Sequence, residues 1–248
     1  MLRSLRTDKG RRETGLFLVE GARLCAELPP AMAELAVATE EARNNPAARA
    51  ALERLAAAGV SVLEAPAHDI ERMSDTVQSQ GIMAAARWRD VAPEDLGLGE
   101  SARIVALDAV SDPGNVGTVV RTAAWFAAGA LLLGRQCADL LNPKTVRATM
   151  GGLFHLPVCR DVPLAEALPR WKARGFELVA ATMDGSPDWG AWARAPRSIL
   201  LLGSEAHGIA PELLALADRR VTIPRLGSGD SLNVAVSAGI LLACAAGR

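Results

Sequence analysis

Tyrosine is absent from this sequence of 248 residues, and aromatic residues make up only 4% of it. Proteins that read single-stranded RNA commonly stack its bases on aromatic side chains. Few residues here could do so. A strong excess of charge is absent as well, because the net charge at pH 7 is −1. The composition by itself therefore indicates no polyanionic partner.

Cysteine is scarce and unpatterned. The four cysteines, Cys25, Cys137, Cys159 and Cys244, are scattered without CxxC spacing. This distribution fits a reducing compartment and argues against a disulfide framework and against a zinc site. We expect no bound metal.

Long apolar runs are missing too. The longest, at about residues 232–246, is interrupted by Asn233, Ser237 and Gly239 and is too short to cross a bilayer. The N-terminus is charged and has no apolar core of the kind found in signal peptides. We therefore expect a cytoplasmic protein without a membrane partner.

Short apolar runs alternate with helical patterns in the N-terminal third of the chain. Strands are predicted at residues 16–19, 35–38, 60–63 and 81–85, with helices or helical turns at 23–28, 47–58 and 69–73. This alternation predicts a small α/β domain over residues 1–90. Residues 91–100 are rich in Pro, Gly and acidic residues without periodicity, which is typical of a linker.

A second α/β domain is predicted over residues 101–248. Residues 104–107 form a continuous apolar run, which is typical of a parallel strand covered on both faces. Further strands at 130–133, 178–181, 199–202 and 220–223 alternate with helices at 116–128, 143–150, 164–174 and 211–217. This pattern predicts a mostly parallel sheet, and such sheets bind ligands at the carboxyl ends of their strands.

The last predicted strand leads into the segment IPRLGSGDSLNVAVSAG, residues 223–239. Because Ser is a favoured N-cap residue, the segment predicts a helix that begins near Ser231 and is buried on nearly every face. The side chains of Ser231 and Asn233 would then meet free helix N–H groups, which suits a ligand site. Gly203 and Gly208 follow the preceding strand and would let a ligand approach the backbone closely. None of these loops has a GxGxxG or GxxxxGK[ST] sequence, which disfavours dinucleotide and P-loop phosphate sites.

Three motifs in order resemble those of a known family. DPGNVGTVVRTA (112–123), LLGSEAHGI (201–209) and IPRLGSGDSLNVAVSAG (223–239) resemble the motifs of the SpoU (TrmH-like) RNA methyltransferases, within the SPOUT superfamily. NPKTVRATMGGLFHLPV (142–158) is similar to a segment of the rRNA-methylating and thiostrepton-resistance branch. FLVEGARL (17–24) and QGIMA (80–84) resemble that branch's ribosomal-protein-like RNA-binding domain.

The resemblance implies transfer of a methyl group from S-adenosylmethionine to a ribose 2′-hydroxyl of RNA. It also implies a trefoil knot in the C-terminal domain, a homodimer, and rRNA in preference to tRNA as the substrate. By the same resemblance, the cofactor pocket is formed by Thr182, Met183, Leu202, Gly203, Gly208, Ile223, Leu232 and Asn233.

Catalytic positions follow from the resemblance as well, namely Asn115, Arg121, Glu205, Ser231 and Asn233. Arg121 matches the family's catalytic arginine. Because a guanidinium holds its proton far above neutral pH, we hypothesise that Arg121 chiefly fixes the target phosphate or stabilises the developing alkoxide. Asn115 would orient Arg121 or the ribose, while Ser231 and Asn233 would hold the nucleotide.

RNA would be contacted mainly by basic side chains, which predicts binding that weakens steeply as salt is added. The candidates are Arg3, Arg11, Arg12, Arg23, Lys144 and Arg147. For the basic run at the N-terminus, a solvated and frayed terminus is the alternative interpretation.

Each site residue has a structural alternative. Arg121 could be a solvated helix residue, Asn115 and Ser231 could be plain helix caps, and Glu205 could sit near a helix dipole. Structural roles in hydrogen bonding, packing or interfaces are expected for His155, His207, Trp125, Trp171, Trp189 and Trp192.

Two other functions compete with methyl transfer. Residues 229–232 spell GDSL, the tag of a group of lipases and esterases, but no histidine follows Ser231 to act as its base. The second alternative is a catalytically silent RNA-binding protein of the same fold. The retained motif residues argue against it.

Overall fold

The computed structural model describes residues 1–74, 76, 78–193 and 195–246, which form two compact units. The first contains residues 1–89 and 139–154, and the second contains residues 90–138 and 155–248. The sequence division had placed 139–154 in the second domain. The segment predicted as a linker belongs to the second unit, where Leu96 is buried in the core. The prediction that residues 1–90 and residues 101–248 act as two functional domains stays a prediction.

The first unit is built on a mixed sheet of four strands in the order β1-β4-β2-β3. β4 is antiparallel to both β1 and β2, and β2 is parallel to β3. Its elements are α1 (Asp8–Thr14), β1 (Leu16–Glu20), α2 (Ala22–Glu27), β2 (Ala33–Ala38), α3 (Glu40–Arg43), α4 (Pro46–Ala57), β3 (Ser61–Glu64), α5 (Ala67–Met73), β4 (Ile82–Arg87) and α7 (Pro143–Ala148), with 3₁₀ turns at Leu2–Arg6, Pro30–Met32 and Gly152–Phe154. The small α/β fold predicted for this part of the chain is confirmed.

All five residues of β1 are buried, although this strand lies at the edge of its sheet. The burial is explained by α7, which packs against β1 from far along the chain. A strand covered in this way has no need of polar residues on one face, which accounts for its apolar run over residues 16–19, although the strand ends in the buried Glu20.

The second unit is a parallel sheet of six strands in the order β10-β8-β9-β5-β6-β7. Its elements are β5 (Ala102–Asp108), α6 (Pro113–Trp125), β6 (Ala130–Gly134), β7 (Val158–Val162), α8 (Leu164–Ala173), β8 (Glu177–Ser186), α9 (Gly190–Ala193), β9 (Arg197–Gly203), α10 (Pro211–Leu214), β10 (Arg219–Val221) and α11 (Val234–Ala246), with a 3₁₀ turn at Pro93–Asp95. The predicted fold class is confirmed, while the knot stays a prediction.

Several element bounds differ from the predicted ones. β7 and α9 were not predicted, and β8 continues to Ser186, five residues past its predicted end. The extension is held by β10, since Val221 pairs with Ser186 across a register shift. Within the described residues, no helix is long and apolar enough to cross a membrane.

The last helix, α11, packs against α6, the helix that carries the first sequence motif. A Cβ at Gly239 would lie 3.8 Å from Thr122 Cγ2, so the small residues of α11 allow a close approach. The predicted packing of this apolar helix against a neighbour is thus observed, but one side of α11 stays open, because Val236 is 50% exposed. The packing brings the first and third motifs together.

Candidate active site

A cavity of about 600 Å³ opens at the carboxyl ends of β8, β9 and β10. It is lined by residues 181–184, 202–205, 207–209, 214, 221–232, 234, 237 and 241. We call it the first cavity. It lies where the parallel sheet was expected to bind ligands.

Most of the residues predicted to hold a cofactor line this cavity. They are Thr182, Met183, Leu202, Gly203, Gly208, Ile223 and Leu232. Asn233 does not line the cavity and instead lies at the start of α11. Sequence reasoning missed the residues contributed by α11, which are Val234, Ser237 and Leu241, although their place in an apolar helix was a partial signal.

The lining of the first cavity combines buried apolar side chains with charged ones. Leu202, Val221 and Leu241 are buried apolar side chains of the wall. Carboxylates of Glu205 and Asp230 also belong to the lining. An apolar wall with nearby carboxylates suits a ligand that has a flat apolar ring and a positive charge.

Gly203 is required by the path of the protein backbone. A Cβ at this position would lie 2.1 Å from the carbonyl carbon of Gly208 and 2.3 Å from the amide nitrogen of Ile209. The loop folds back here, because Ser204 N donates to Gly208 O at 3.0 Å and Gly208 N donates to Ser204 O at 2.9 Å. Gly208 has a φ of +71°, which favours glycine. The backbone of Gly208 and Ile209 therefore lies close against Gly203.

Three motif residues meet in one hydrogen-bonded relay. Asn115 Nδ2 donates to Glu205 Oε1, and Asn233 Nδ2 donates to Asn115 Oδ1 at 2.9 Å. Because the amide of Asn115 both donates and accepts, its orientation is determined by the two partners. The relay joins the start of α6, the loop after β9 and the start of α11. We call it the Asn115 relay.

The cap positions of both helices differ from the alternatives considered above. Asp112 caps α6, since its side chain accepts from Asn115 N at 2.9 Å, and so Asn115 is not a plain helix cap. Asn233 Oδ1 accepts from Ala235 N and Val236 N, which makes Asn233 the cap of α11. The predicted N-cap at Ser231 is wrong, and Ser231 lies exposed in the cavity lining.

Arg121 lies on the exposed face of α6, together with Thr118 and Trp125. It does not line the first cavity. Within the described residues its guanidinium has no hydrogen-bond or ion-pair partner, and Asn115 therefore does not orient it. An uncommitted guanidinium is available to a phosphate or an alkoxide.

The six residues predicted to contact RNA all belong to the first unit. Arg3, Arg12, Arg23 and Lys144 are exposed. Arg11 is only 6% exposed; its Nη2 lies 2.6 Å from Asp139 Oδ2, and its Nη1 donates to Leu5 O at 3.0 Å. Arg11 is thus a structural residue, and its predicted RNA contact is withdrawn. Arg147 is partly buried, and its Nη1 lies 3.6 Å from Glu20 Oε2.

The tryptophans of the second unit mostly pack inside it. Trp171 lies edge-on to Phe176, and Trp192 Nε1 donates to Ser198 Oγ at 3.1 Å. Trp189 Nε1 donates to Thr222 O at 2.9 Å. Trp125 is the exception, with 83% of its surface exposed.

Comparison with known proteins finds two family matches. The SpoU rRNA Methylase family matches residues 102–243, and an MRM3-like substrate binding domain matches residues 1–84. The chain is 30% identical to the 23S rRNA (guanosine(2553)-2′-O)-methyltransferase RlmP of Bacillus subtilis, over 97% of this chain and 92% of that protein.

Solved structures of similar proteins superpose on nearly the whole chain. A TrmH-family RNA methyltransferase described as putative, from Porphyromonas gingivalis, is 33% identical with a TM-score of 0.82, covering 98% of this chain and 94% of that one. An AdoMet-bound rRNA methyltransferase from Sinorhizobium meliloti is 31% identical with a TM-score of 0.84, covering 98% and 92%.

Proposed function

Because the chain belongs to the SpoU rRNA methylase family, we propose that it methylates a ribose 2′-hydroxyl of RNA with S-adenosylmethionine as the methyl donor. The observation that carries the proposal is the Asn115 relay, which binds the start of α6 to the rim of the first cavity through Glu205. These hydrogen bonds hold the start of α6 in a fixed position beside the first cavity.

The residues of the first cavity fit S-adenosylmethionine. The apolar wall of Leu202, Val221 and Leu241 suits the adenine ring. The carboxylates of Glu205 and Asp230 suit a positively charged sulfonium, and backbone groups at the ends of β8 and β9 can hold polar edges. When bound, the cofactor supplies a methyl group that is already activated by the sulfonium charge.

The protein's own task is to align the ribose and to manage one proton. Arg121 holds the target phosphate or stabilises the alkoxide that forms as the 2′-hydroxyl loses its proton. Glu205 is held by Asn115, and Ser231 offers a hydroxyl in the same lining. Asn233 acts through Asn115 and through the cap of α11.

The substrate is proposed to be rRNA, bound in part by the first unit. The match of residues 1–84 to a substrate binding domain and the likeness to a 23S rRNA guanosine methyltransferase support this choice. Arg3, Arg12, Arg23 and Lys144 would contact phosphates. We also propose a homodimer, located in the cytoplasm with its RNA substrate.

The identity of the product tests the proposal directly. Purified protein is incubated with rRNA and methyl-labelled S-adenosylmethionine, and the digested RNA is analysed by mass spectrometry for 2′-O-methylated nucleosides. One labelled 2′-O-methylnucleoside is expected. Label on a base, or no label together with no heat of S-adenosylmethionine binding by calorimetry, would instead support base methylation or a silent RNA-binding protein.

The role of Arg121 is tested by the change Arg121→Lys. Lysine keeps the charge but loses the planar fork, so the single-turnover rate should fall about 100-fold. Affinity for S-adenosylmethionine should be unchanged, because Arg121 does not line the first cavity. Near-normal single-turnover methylation by this variant would show that guanidinium geometry is irrelevant.

A further inference from the structure

A second cavity, of about 500 Å³, lies at the carboxyl ends of β5, β6 and β7. The loop after β9 separates the two cavities, because Ser204, His207, Gly208 and Ile209 line both of them. The loop is tied across the sheet by Ala210 N, which donates to Asp108 Oδ2 at 2.8 Å. A ligand in the second cavity would therefore share a wall with a cofactor in the first.

The strand order places the second cavity at a switch in the direction of the connections. The chain leaves β5 toward β6 on one side, while it leaves β9 toward β10 on the other side. Loops that follow neighbouring strands diverge at such a point, and the crevice between them is the usual ligand site of an open α/β sheet. Its volume falls within the range of about 300–1,000 Å³ that is typical of small-molecule sites.

Uncommitted polar side chains surround the second cavity. Arg135 and Gln136 follow β6, Glu166 lies in the first turn of α8, and Glu212 lies in the first turn of α10. In the part of the chain that is described, none of these four side chains has a hydrogen-bond or ion-pair partner. Donors and acceptors are thus both available to one ligand.

The backbone around this cavity is strained. Ala109 and Gln136, both in the lining, have φ values of 53° and 71°. Residues other than glycine rarely adopt this left-handed backbone conformation, and such conformations are concentrated at functional sites. Gln136 and its chain neighbour Arg135 both belong to the lining of the second cavity.

We propose that the second cavity binds a guanine base of the RNA substrate, next to the ribose that is methylated. This inference rests on the function proposed above. Guanine offers O6 and N7 to the donors of Arg135 and Gln136, and its N–H groups to the carboxylates of Glu166 or Glu212. The carboxylates of Asp108, Glu166 and Glu212 disfavour a phosphate.

The variants Arg135→Ala and Glu166→Gln test the cavity by steady-state kinetics on a 23S rRNA transcript. Each should raise the KM for RNA about tenfold. The Kd for S-adenosylmethionine, measured by calorimetry, should stay within about twofold. Arg170→Ala is the matched control, since Arg170 is exposed on α8 outside both cavities, and thermal unfolding verifies that every variant is folded.

Photo-crosslinking tests the base. Transcripts that contain 6-thioguanosine should crosslink, on irradiation, to peptides with Arg135, Gln136 or Glu166, whereas transcripts with 4-thiouridine should not. Crosslinks from 4-thiouridine at these peptides, their absence with 6-thioguanosine, or an unchanged KM in both variants would overturn the proposal. Failure of the proposed function would be separate: the wild-type protein would then bind no S-adenosylmethionine or methylate no RNA.

Discussion

At the scale of the residue, burial divides neighbouring basic side chains into different roles. Arg11 and Arg12 are adjacent on α1, yet Arg11 is buried against Asp139 while the side chain of Arg12 is 80% exposed. Asp139 lies far along the chain, in the segment that packs within the first unit. Arg11 thus holds this segment to the N-terminal residues, whereas Arg12 forms only an exposed ion pair, with its Nε 3.0 Å from Asp8 Oδ1.

Replacing the buried Arg11 should destabilise the protein much more than replacing the exposed Arg12. Arg11→Met removes the guanidinium that contacts Asp139 Oδ2 and Leu5 O, and we expect the free energy of unfolding to fall by about 3 kcal/mol. Arg12→Met should cost less than about 1 kcal/mol. Urea unfolding of the two variants makes the comparison, and equal midpoints would refute the structural role of Arg11.

Cysteine thiols differ in the same way. Burial raises the pKa of Cys25 to about 12 and the pKa values of Cys137 and Cys159 to about 11. These thiols stay protonated at pH 8, and a protonated thiol is a poor nucleophile. Cys244 is partly exposed on α11.

We therefore expect iodoacetamide at pH 8 to label Cys244 before the other three cysteines. Peptide mass spectrometry follows the labelling with time, and the protein unfolded in guanidinium is the control in which all four react alike. Early labelling of Cys25 in the folded protein would contradict its burial.

At the scale of the element, the loop after β9 is the wall on which both cavities depend. Its path requires Gly203 to lack a Cβ, because the backbone of Gly208 and Ile209 lies within 2.3 Å of where that atom would be. The loop also carries Glu205, which joins the Asn115 relay. A shift of this loop would change the shape of both cavities and disturb the hydrogen bond between Asn115 and Glu205.

The change Gly203→Ala should displace the loop and weaken S-adenosylmethionine binding by about tenfold or more. Calorimetry measures the affinity. Gly97→Ala is the matched control, because a Cβ at Gly97 would meet no atom within 4 Å and its φ is not positive. If Gly203→Ala bound the cofactor normally, the loop would not form part of the pocket.

At the scale of the whole molecule, two exposed apolar side chains on neighbouring helices are candidates for the interface of the proposed homodimer. Trp125 at the end of α6 is 83% exposed, and Val236 on α11 is 50% exposed. These two helices pack together and carry the first and third motifs. Large exposed apolar side chains commonly mark interaction surfaces.

We expect Trp125→Glu to convert a homodimer into a monomer, because burying a carboxylate in an apolar interface is costly. Light scattering after size-exclusion chromatography gives the mass. Leu63→Glu is the control, since Leu63 is 52% exposed on β3 of the first unit. A dimer that survives Trp125→Glu would exclude this face as the interface.

Local patterns predicted the site only where its residues are close in the chain, while the family resemblance supplied pocket positions as far apart as Thr182 and Leu232. The glycine loop after β9 and the polar residues before α11 follow directly from strand and cap patterns. The cap itself was misplaced at Ser231, because Ser and Asn are both good caps and only the backbone path selects Asn233. The meeting of Asn115 with Asn233, 118 positions apart, could not be read from local patterns.

By itself, the amino-acid sequence determined the α/β class, the parallel sheet and the family, since these depend on apolar periodicity and on short motifs. Only the tertiary structure decided that residues 139–154 pack within the first unit and that Arg11 is buried there. It alone showed that the loop after β9 divides two cavities. The physical reason is that burial and pairing arise from contacts between distant segments, which local propensity does not encode.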